Sequence, residues 1–420
     1  MSPVAARGLA PVREVLANGV VLVTQQTVTH PAVTVYATLE AGSGHDPDDK
    51  LGLANFVARV IDRGTVSRDA GAIAATLDDR GVSLSTGVTR HLLSLSCTCL
   101  AEDLDAIIEL LADVIRQPSF PADQMERRRG TIVTGLRQDE DNPSVVATDA
   151  LMSQLYGSHH PYGRPGRGTV SSVEGIVRDD LVEFHRRHVG PAGVRLVVVG
   201  DVEAPRVAGA VARAFGDWAH EPALPLRPSA VTMASDRHSD RKVVPGKPQS
   251  DIAYGFTTIA RDDPRYYALV IMNNTLGQYA LGGRLGDNIR ERQGMAYYVF
   301  SSFDANVVEG PLVVRAGVSP ANVERTIAAI DEELSRMAHD GMTAAELADS
   351  RRYLVGSMPR VLETNIGIAT FLHNAEFYGL GLDFDQRIPD LLGAVSLDDV
   401  NGVARAFLDP ARATIVVAGP

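Results

Sequence analysis

One spacing recurs along the chain and limits its architecture more than any other feature. An acidic pair begins at Asp179 and another at Asp398, while one apolar, strand-like run ends at Gly200 and another at Gly419. Both matches are separated by the same 219 residues, from 179 to 398 and from 200 to 419. A period this long exceeds that of solenoid repeats and fits duplicated domains. We therefore predict two homologous copies, each of about two hundred residues.

The segment between the copies is rich in proline and has little hydrophobic periodicity. It contains EPALPLRPS and is typical of an extended linker. The predicted domains are therefore residues 1–218 and 241–420, joined by a linker at 219–240. Within each copy, helical and strand patterns intermix without strict alternation, which predicts an α+β fold with helices covering a mainly antiparallel sheet.

Charge and hydropathy exclude several classes of function. A net charge of −12 argues against a nucleic-acid partner, which needs a clustered basic surface. No apolar run reaches the roughly 18 residues that a membrane span requires, and the first thirty residues lack the apolar core of a signal peptide. Cys97 and Cys99 lie two apart in a strand-like run, where a disulfide would be strained. We therefore predict reduced thiols and a cytoplasmic location.

The stretch LGGRLGDNIRERQGMAYYVFSS, at residues 281–302, is the candidate for chemistry. Its glycines predict a flexible turn, residues 287–292 a short helix, and residues 297–303 a strand. Arg290 and Tyr297 lie seven positions apart across the intervening turn. A guanidinium and a phenol can donate hydrogen bonds to a carbonyl oxygen that gains charge, as an oxyanion hole does. Spacing alone favours the alternative of a surface arginine and a strand tyrosine in a hairpin.

The same stretch closely resembles the carboxyl-terminal signature of the pitrilysin/insulinase (inverzincin) zinc peptidases. The resemblance is to the branch that contains the mitochondrial processing peptidases and their bacterial relatives, and it covers nearly the whole chain. It implies two peptidase-like domains in a clamshell-like arrangement around a chamber. It also implies that Arg290 and Tyr297 bind substrate at a zinc site carried by another domain.

The zinc site of the family is missing its functional residues here. Active members carry His-x-x-Glu-His on a helix that corresponds to the amphipathic segment at 52–65, where two histidines bind zinc and the glutamate activates water. The matching positions hold Asn55, Ala58 and Arg59, and the position of the third ligand falls on Gly135. A permanent cation at a ligand position opposes metal binding. We expect no catalytic residue and no metal in this chain, with zinc in a partner subunit.

Histidines elsewhere offer a weaker alternative. His185 and His188 lie three apart with Glu183 nearby, but a satisfied helix end is favoured over a relocated metal site, because the sequence supplies no convergent third and fourth ligands. His159 and His160 open a Pro- and Gly-rich loop whose PYGRP segment resembles a family loop that shapes the domain.

Three functions follow as hypotheses. The favoured one is a non-catalytic subunit of a heterodimeric zinc metallopeptidase, in which Arg290 and Tyr297 hold the peptide substrate at the zinc site of a homologous partner. The second is a pseudopeptidase that binds peptides or acts as a scaffold. The third, a self-sufficient peptidase with an unorthodox site, lacks a suitable ligand set. The sequence leaves open whether the chain forms a homodimer in isolation, and it does not identify the peptide.

Overall fold

A computed structural model describes residues 8–28, 30–221, 225–278 and 282–420. The first sheet has the strand order β1-β2-β6-β3-β5-β4. All neighbouring strands are antiparallel except β2 and β6, which are parallel. The strands are β1 (Val12–Val15), β2 (Val21–Gln26), β3 (Ala32–Leu39), β4 (Ser85–Val88), β5 (Leu93–Leu100) and β6 (Val194–Gly200).

The second sheet repeats this plan with the order β7-β11-β8-β10-β9. Again one pair, β7 and β11, is parallel and the remaining pairs are antiparallel. The inner strands of the second sheet follow the matching strands of the first sheet by close to the 219 residues that separate the two sequence matches. The repeat in the sequence therefore corresponds to a repeat of the sheet. The strands are β7 (His238–Val243), β8 (Ser250–Thr257), β9 (Ala296–Phe303), β10 (Pro311–Val318) and β11 (Thr414–Gly419).

Helices fill the connections between the strands. They are α1 (Leu53–Val60), α2 (Ala70–Asp78), α3 (Leu104–Arg116), α4 (Ala122–Glu140), α5 (Pro143–Tyr156), α6 (Val170–Gly175), α7 (Arg178–His188), α8 (Ala204–Phe215), α9 (Tyr266–Asn273), α10 (Val323–His339), α11 (Ala344–Val361), α12 (Asn365–Phe377), α13 (Phe384–Ala394) and α14 (Leu397–Phe407). Two sheets covered by helices confirm the predicted α+β class. The clamshell-like arrangement stays a prediction.

The chain forms two compact units that are not contiguous in sequence. The first comprises Met1–Leu136, Pro165–Leu226 and Met358–Gln386, and the second comprises Arg137–Arg164, Arg227–Ser357 and Arg387–Pro420. The chain passes from the first unit to the second between Leu226 and Arg227, inside the predicted linker at 219–240. In addition, each half of the sequence contributes one helical segment to the other unit. The predicted domains 1–218 and 241–420 differ from the units in this respect, because α5 belongs to the second unit and α12 to the first.

The exchange follows from strands that are apolar on both faces. Leu151 of α5 is fully buried in a cluster with Ala253, Val313 and Val416 of the second sheet. Gly255 on β8 permits this approach, since a Cβ there would stand 2.9 Å from a methyl carbon of Leu151. In the first unit, Ile368, Ala369 and Leu372 of α12 pack in the same way on Val23, Val197 and Val199.

Two smaller features follow the sequence directly. Gly19 has a φ of +93°, which suits the tight hairpin between β1 and β2. Cys97 and Cys99 are buried free thiols on β5, and burial raises the pKa of Cys97 to about 12. In the part of the chain that the structure describes, no helix has the length and apolarity needed to cross a membrane.

Candidate functional site

The segment that carries Arg290 is a π-helical turn, Gly286–Arg292, followed by β9. The predicted short helix and strand are therefore both present, although the helix is wider than an α-helix. Single π-helical turns occur frequently at functional sites, because they change the direction of side chains within a helix. The turn is tied to buried structure: Asn288 donates a hydrogen bond to Glu333 on α10, a carboxylate with no exposed surface.

The glycine-rich loop before the turn is fixed to the start of α11. Arg284 donates two hydrogen bonds of 2.8 Å to the carboxylate of Glu346 and a third, also 2.8 Å, to the backbone oxygen of Gly341. The same carboxylate accepts hydrogen bonds from Thr343 and so caps the helix. Bidentate arginine–carboxylate pairs fix orientation as well as position. The base of the Arg290 segment is therefore rigid.

Tyr297 is displaced from the sheet by a β-bulge. Gly317 of β10 pairs with Tyr298, whereas Val318 pairs with Ala296, so Tyr297 has no partner on β10. Its side chain is 63% exposed. Bulges redirect side chains and are frequent next to active sites. Among the described residues, no hydrogen bond to the Tyr297 hydroxyl occurs.

Arg290 is also open to solvent. Its side chain is 43% exposed, and its closest acidic neighbour is Glu291, with 3.7 Å between Nε and Oε1. No hydrogen bond joins Arg290 to Tyr297 within the described residues. The structure therefore leaves both side chains exposed, Arg290 on the turn before β9 and Tyr297 near the start of β9, with donors that are not hydrogen-bonded to the described residues.

Helix α1 forms within residues 52–65, the segment that by resemblance corresponds to the zinc helix of the inverzincin peptidases. Asp46 begins it by accepting hydrogen bonds of 2.8 Å from the backbone N–H groups of Gly52 and Ala54. Gly52 has a φ of +88°, and the backbone oxygen of Arg167 lies 2.5 Å from where a Cβ on it would stand. The helix is formed and its first turn is capped by Asp46. The residues at the motif positions therefore lack metal-binding groups without disrupting the helix.

The residues at the motif positions do not fit a zinc ion. Asn55 and Ala58 are buried and Arg59 is exposed. A guanidinium nitrogen of Arg167 lies 3.0 Å from where a Cβ on Gly135 would stand, so a cation occupies the space next to the third position. An amide, a methyl group and two guanidinium groups do not form a zinc ligand set. Among the described residues, no three His, Cys, Asp or Glu side chains converge as metal ligands.

A cavity that the sequence did not predict lies beside α1. Its volume is about 260 Å³. Arg59 and Arg63 lie at and just after the end of α1, whereas Arg128 comes from α4, far away in the sequence. Arg128 belongs to a run of three arginines, a pattern that is typical of a solvated helix face. The cavity is lined by Arg59, Asp62, Arg63, Leu84, Ser85, Thr86 and Arg128.

The histidines considered as a relocated metal site have structural contacts. His185 Nε2 lies 2.7 Å from the backbone oxygen of Ile115, at the end of α3. Glu183 is exposed and paired with an arginine on its own helix. The His188 ring packs against His45, with 4.3 Å between ring centroids and a tilt of 37°, and burial lowers the pKa of His188 to about 4. Nδ1 of His188 is buried without a hydrogen-bond partner among the described residues, so the satisfied helix end stays a prediction.

A second cavity, of about 460 Å³, lies on the α5 side of the second sheet. The Tyr298 hydroxyl donates a hydrogen bond to the buried carboxylate of Asp251, and Gln249 donates to the same group at 3.1 and 3.2 Å. Burial raises the pKa of Tyr298 to about 12. The carboxylate is already occupied by two donors, whereas Nε of Arg315, which also lines this cavity, is buried without a hydrogen-bond partner among the described residues.

Two family models match the chain. The model described as insulinase (peptidase family M16) matches residues 21–169, which include α1 and the changed motif. The model described as peptidase M16 inactive domain matches residues 175–354, which include Arg290 and Tyr297.

Individual relatives cover almost the whole length. A Mycobacterium tuberculosis protein described as an uncharacterized zinc protease is 27% identical over 419 residues, covering 99% of this chain and 94% of that protein. The non-peptidase homolog YmxG of Helicobacter pylori is 24% identical and covers 90% of this chain and 87% of its own. The crystal structure of a peptidase M16 inactive domain from Pseudomonas fluorescens superimposes with a TM-score of 0.91, at 25% identity and 98% coverage of both chains.

Proposed function

Since the chain belongs to the insulinase (M16) family of peptidases, we propose that it is a non-catalytic subunit that binds peptide for a zinc-bearing, homologous partner. The observation that carries the proposal is the contrast between the two copies. In the first, the motif positions of α1 hold no zinc ligands. In the second, Arg290 and Tyr297 stand exposed on a base that is fixed by partly buried hydrogen bonds.

The local energetics support a binding role for this pair. A bulge that displaces Tyr297 and a π-helical turn at Arg290 both depart from regular structure, and neither side chain gains a hydrogen bond within the described chain. Regular strand and helix would satisfy more of the backbone. A fixed base with exposed donors is the arrangement that a preorganised binding site requires.

The chemical role follows from the donors. A guanidinium and a phenolic hydroxyl can hold the carbonyl oxygen of an extended peptide and stabilise the charge it gains during attack by water. Oxyanion donors of this kind contribute about 100- to 1,000-fold in rate. Activation of the water belongs to the partner, because Asn55, Ala58 and Arg59 provide neither a base nor a metal. A cytoplasmic location is part of the proposal, in keeping with the buried free thiols.

One comparison favours the second candidate, a peptide-binding or scaffold protein without any proteolysis. The Helicobacter pylori relative is named a non-peptidase homolog. A scaffold of this kind would bind peptide through the same surface but would not raise the activity of any partner.

The test is to mix the chain with a homologous subunit that carries His-x-x-Glu-His, and to measure peptide cleavage. Arg290→Ala and Tyr297→Phe should each reduce the activity of the mixture by about tenfold or more, with little change in the affinity between the subunits. Arg292→Ala is the matched control, since Arg292 is 70% exposed on the same turn. Unchanged cleavage by both variants would refute the assignment. Peptide binding without any stimulated cleavage would favour the scaffold.

A further inference from the structure

The cavity beside α1 carries an excess of positive charge. Among the described residues that line it, three are arginines and one, Asp62, is acidic, so their formal charge is +2. Arg59 ends α1, Arg63 follows it, and Arg128 approaches from α4. Like charges in one small cavity are costly unless a counter-charge is present.

The internal counter-charge is weak. The Asp62 carboxylate lies 3.1 Å from Arg63 Nε, and its side chain is only 8% exposed. Burial raises the pKa of Asp62, against the opposing effect of Arg63 and Arg128. Burial and the charge of Arg63 lower the pKa of Arg128, as expected for cations that are incompletely neutralised.

A neighbouring arginine in the same unit provides a comparison, because its guanidinium is hydrogen-bonded within the chain. Arg129, next to Arg128, donates to the backbone oxygens of Val173 and Ile176 and forms an ion pair with Glu126. In contrast, Arg59 and Arg128 have no hydrogen bond or ion pair to the described residues. Arg63 Nε is paired by charge with Asp62, but it makes no hydrogen bond of suitable geometry to the described residues. The cavity therefore contains donors that are not used within the chain.

The remaining wall supplies further donors. Ser85 and Thr86 belong to β4, which is the last strand of the first sheet, and both residues line the cavity together with Leu84. Hydroxyl groups and guanidinium forks are the donors that proteins use to bind carboxylate and phosphate oxygens.

We propose that the cavity lined by Arg59, Arg63 and Arg128 is an anion-binding site for an oxyanion group, either a carboxylate or a phosphate. This anion-binding site thus adjoins the positions that correspond to the metal ligands of zinc-bearing relatives. Arg59 alone has a simpler explanation, since a cation in the last turn stabilises the helix dipole, but this does not account for Arg63 or Arg128. The proposal is independent of the peptide-binding role of Arg290 and Tyr297.

The test uses the full chain, titrated calorimetrically with inorganic phosphate and, separately, with succinate, at constant ionic strength set by chloride. Saturable binding of at least one anion is expected. Arg59→Gln and Arg128→Gln should each weaken it by about tenfold or more. Arg127→Gln is the matched control, because Arg127 is exposed on α4 and does not line the cavity; it should bind as the unmodified chain does.

The two anions identify the source of the ligand group. Binding of phosphate alone supports a phosphorylated ligand, binding of succinate alone supports a carboxylate, and binding of both supports the shared chemistry. Since Arg59 is exposed, its substitution should leave folding intact, and Arg128→Lys, which keeps the charge but loses the fork, should give an intermediate affinity. Absence of saturable binding, or an equal loss in Arg127→Gln, would overturn the proposal.

Discussion

Arg284 and Glu346 are joined by two parallel hydrogen bonds of 2.8 Å between a glycine-rich loop and the first turn of α11. Burial opposes the charge on Glu346, but the hydrogen bonds from Arg284 and Thr343 outweigh it and hold the pKa of Glu346 at about 2. The pair is half-buried, with 19% and 30% of the two side chains exposed. It determines how firmly the turn that carries Arg290 is held.

Breaking this pair should destabilise the fold measurably. Glu346→Gln removes the charge and one capping interaction, and we expect a loss of about 2 kcal/mol in the free energy of unfolding at pH 7, measured by urea denaturation. Because the folded pKa is depressed from 4.5, this stabilisation is present above about pH 4.5 and is lost as the pH falls towards 2. The effect of the substitution should therefore shrink in acid.

The exposed pair Arg352 and Asp349 provides the comparison for that experiment. Both side chains are more than 70% exposed, at 75% and 71%, so Asp349→Asn should change stability by less than about 0.5 kcal/mol. Equal losses for Glu346→Gln and Asp349→Asn would show that Glu346 is no more important than a surface charge.

His373 should make the chain sensitive to acid. It lies on α12 with 3% of its surface exposed, and its ring contacts Tyr36 with 5.3 Å between centroids. Burial, aided by the charge of Arg195, lowers the pKa of His373 from 6.5 to about 4. The unfolded chain therefore binds an additional proton between these values, and stability that is complete above about pH 6.5 is lost as the pH falls to about 4, by roughly 3 kcal/mol at most.

His373→Phe removes this proton while keeping an aromatic ring. The slope of unfolding free energy against pH should become flatter between pH 6.5 and 4, with a change of less than about 1.5 kcal/mol at pH 7. His339→Gln, at an exposed position on α10, should retain the slope of the unmodified chain. An unaltered slope in His373→Phe would contradict the prediction.

Gly255 and Leu151 should be energetically coupled. A Cβ on residue 255 would stand 2.9 Å from a side-chain carbon of Leu151, so Gly255→Ala should cost about 1–3 kcal/mol through crowding. Leu151→Ala alone should cost about 2–5 kcal/mol, since Leu151 is fully buried. In the double variant the added methyl group occupies part of the vacated space, so the combined loss should be smaller than the two single losses together. Additive losses, measured by thermal or urea unfolding, would show that α5 does not contact β8 in this way.

Much of the fold could be predicted because its signals are local or periodic. The repeat predicted two homologous copies, the intermixed helical and strand patterns predicted the α+β class, and the pattern around Arg290 predicted a short helix followed by a strand. The exchange of α5 and α12 could not be predicted, because an apolar strand such as β8 reveals that both faces are buried but not which helix covers each face.

The functional details that were missed depend on register and on distant contacts. The bulge at Tyr297 becomes visible only when β9 is paired with β10, since the sequence of the strand is regular. The cavity beside α1 brings Arg59 together with Arg128, which is separated from it by several elements. A single sequence does not indicate which charged residues, distant along the chain, will lie close together in the fold. Their proximity is therefore seen only in the structure.

The placement of α12 in the first unit has a consequence during synthesis. The second face of the first sheet stays uncovered until the ribosome has passed Phe377, near the carboxyl end of the 420-residue chain. A nascent amino-terminal half would thus expose Val23, Val197 and Val199 to other hydrophobic surfaces until α12 has been synthesised. The two halves must therefore be produced as one polypeptide, or refolded together, before either sheet is protected.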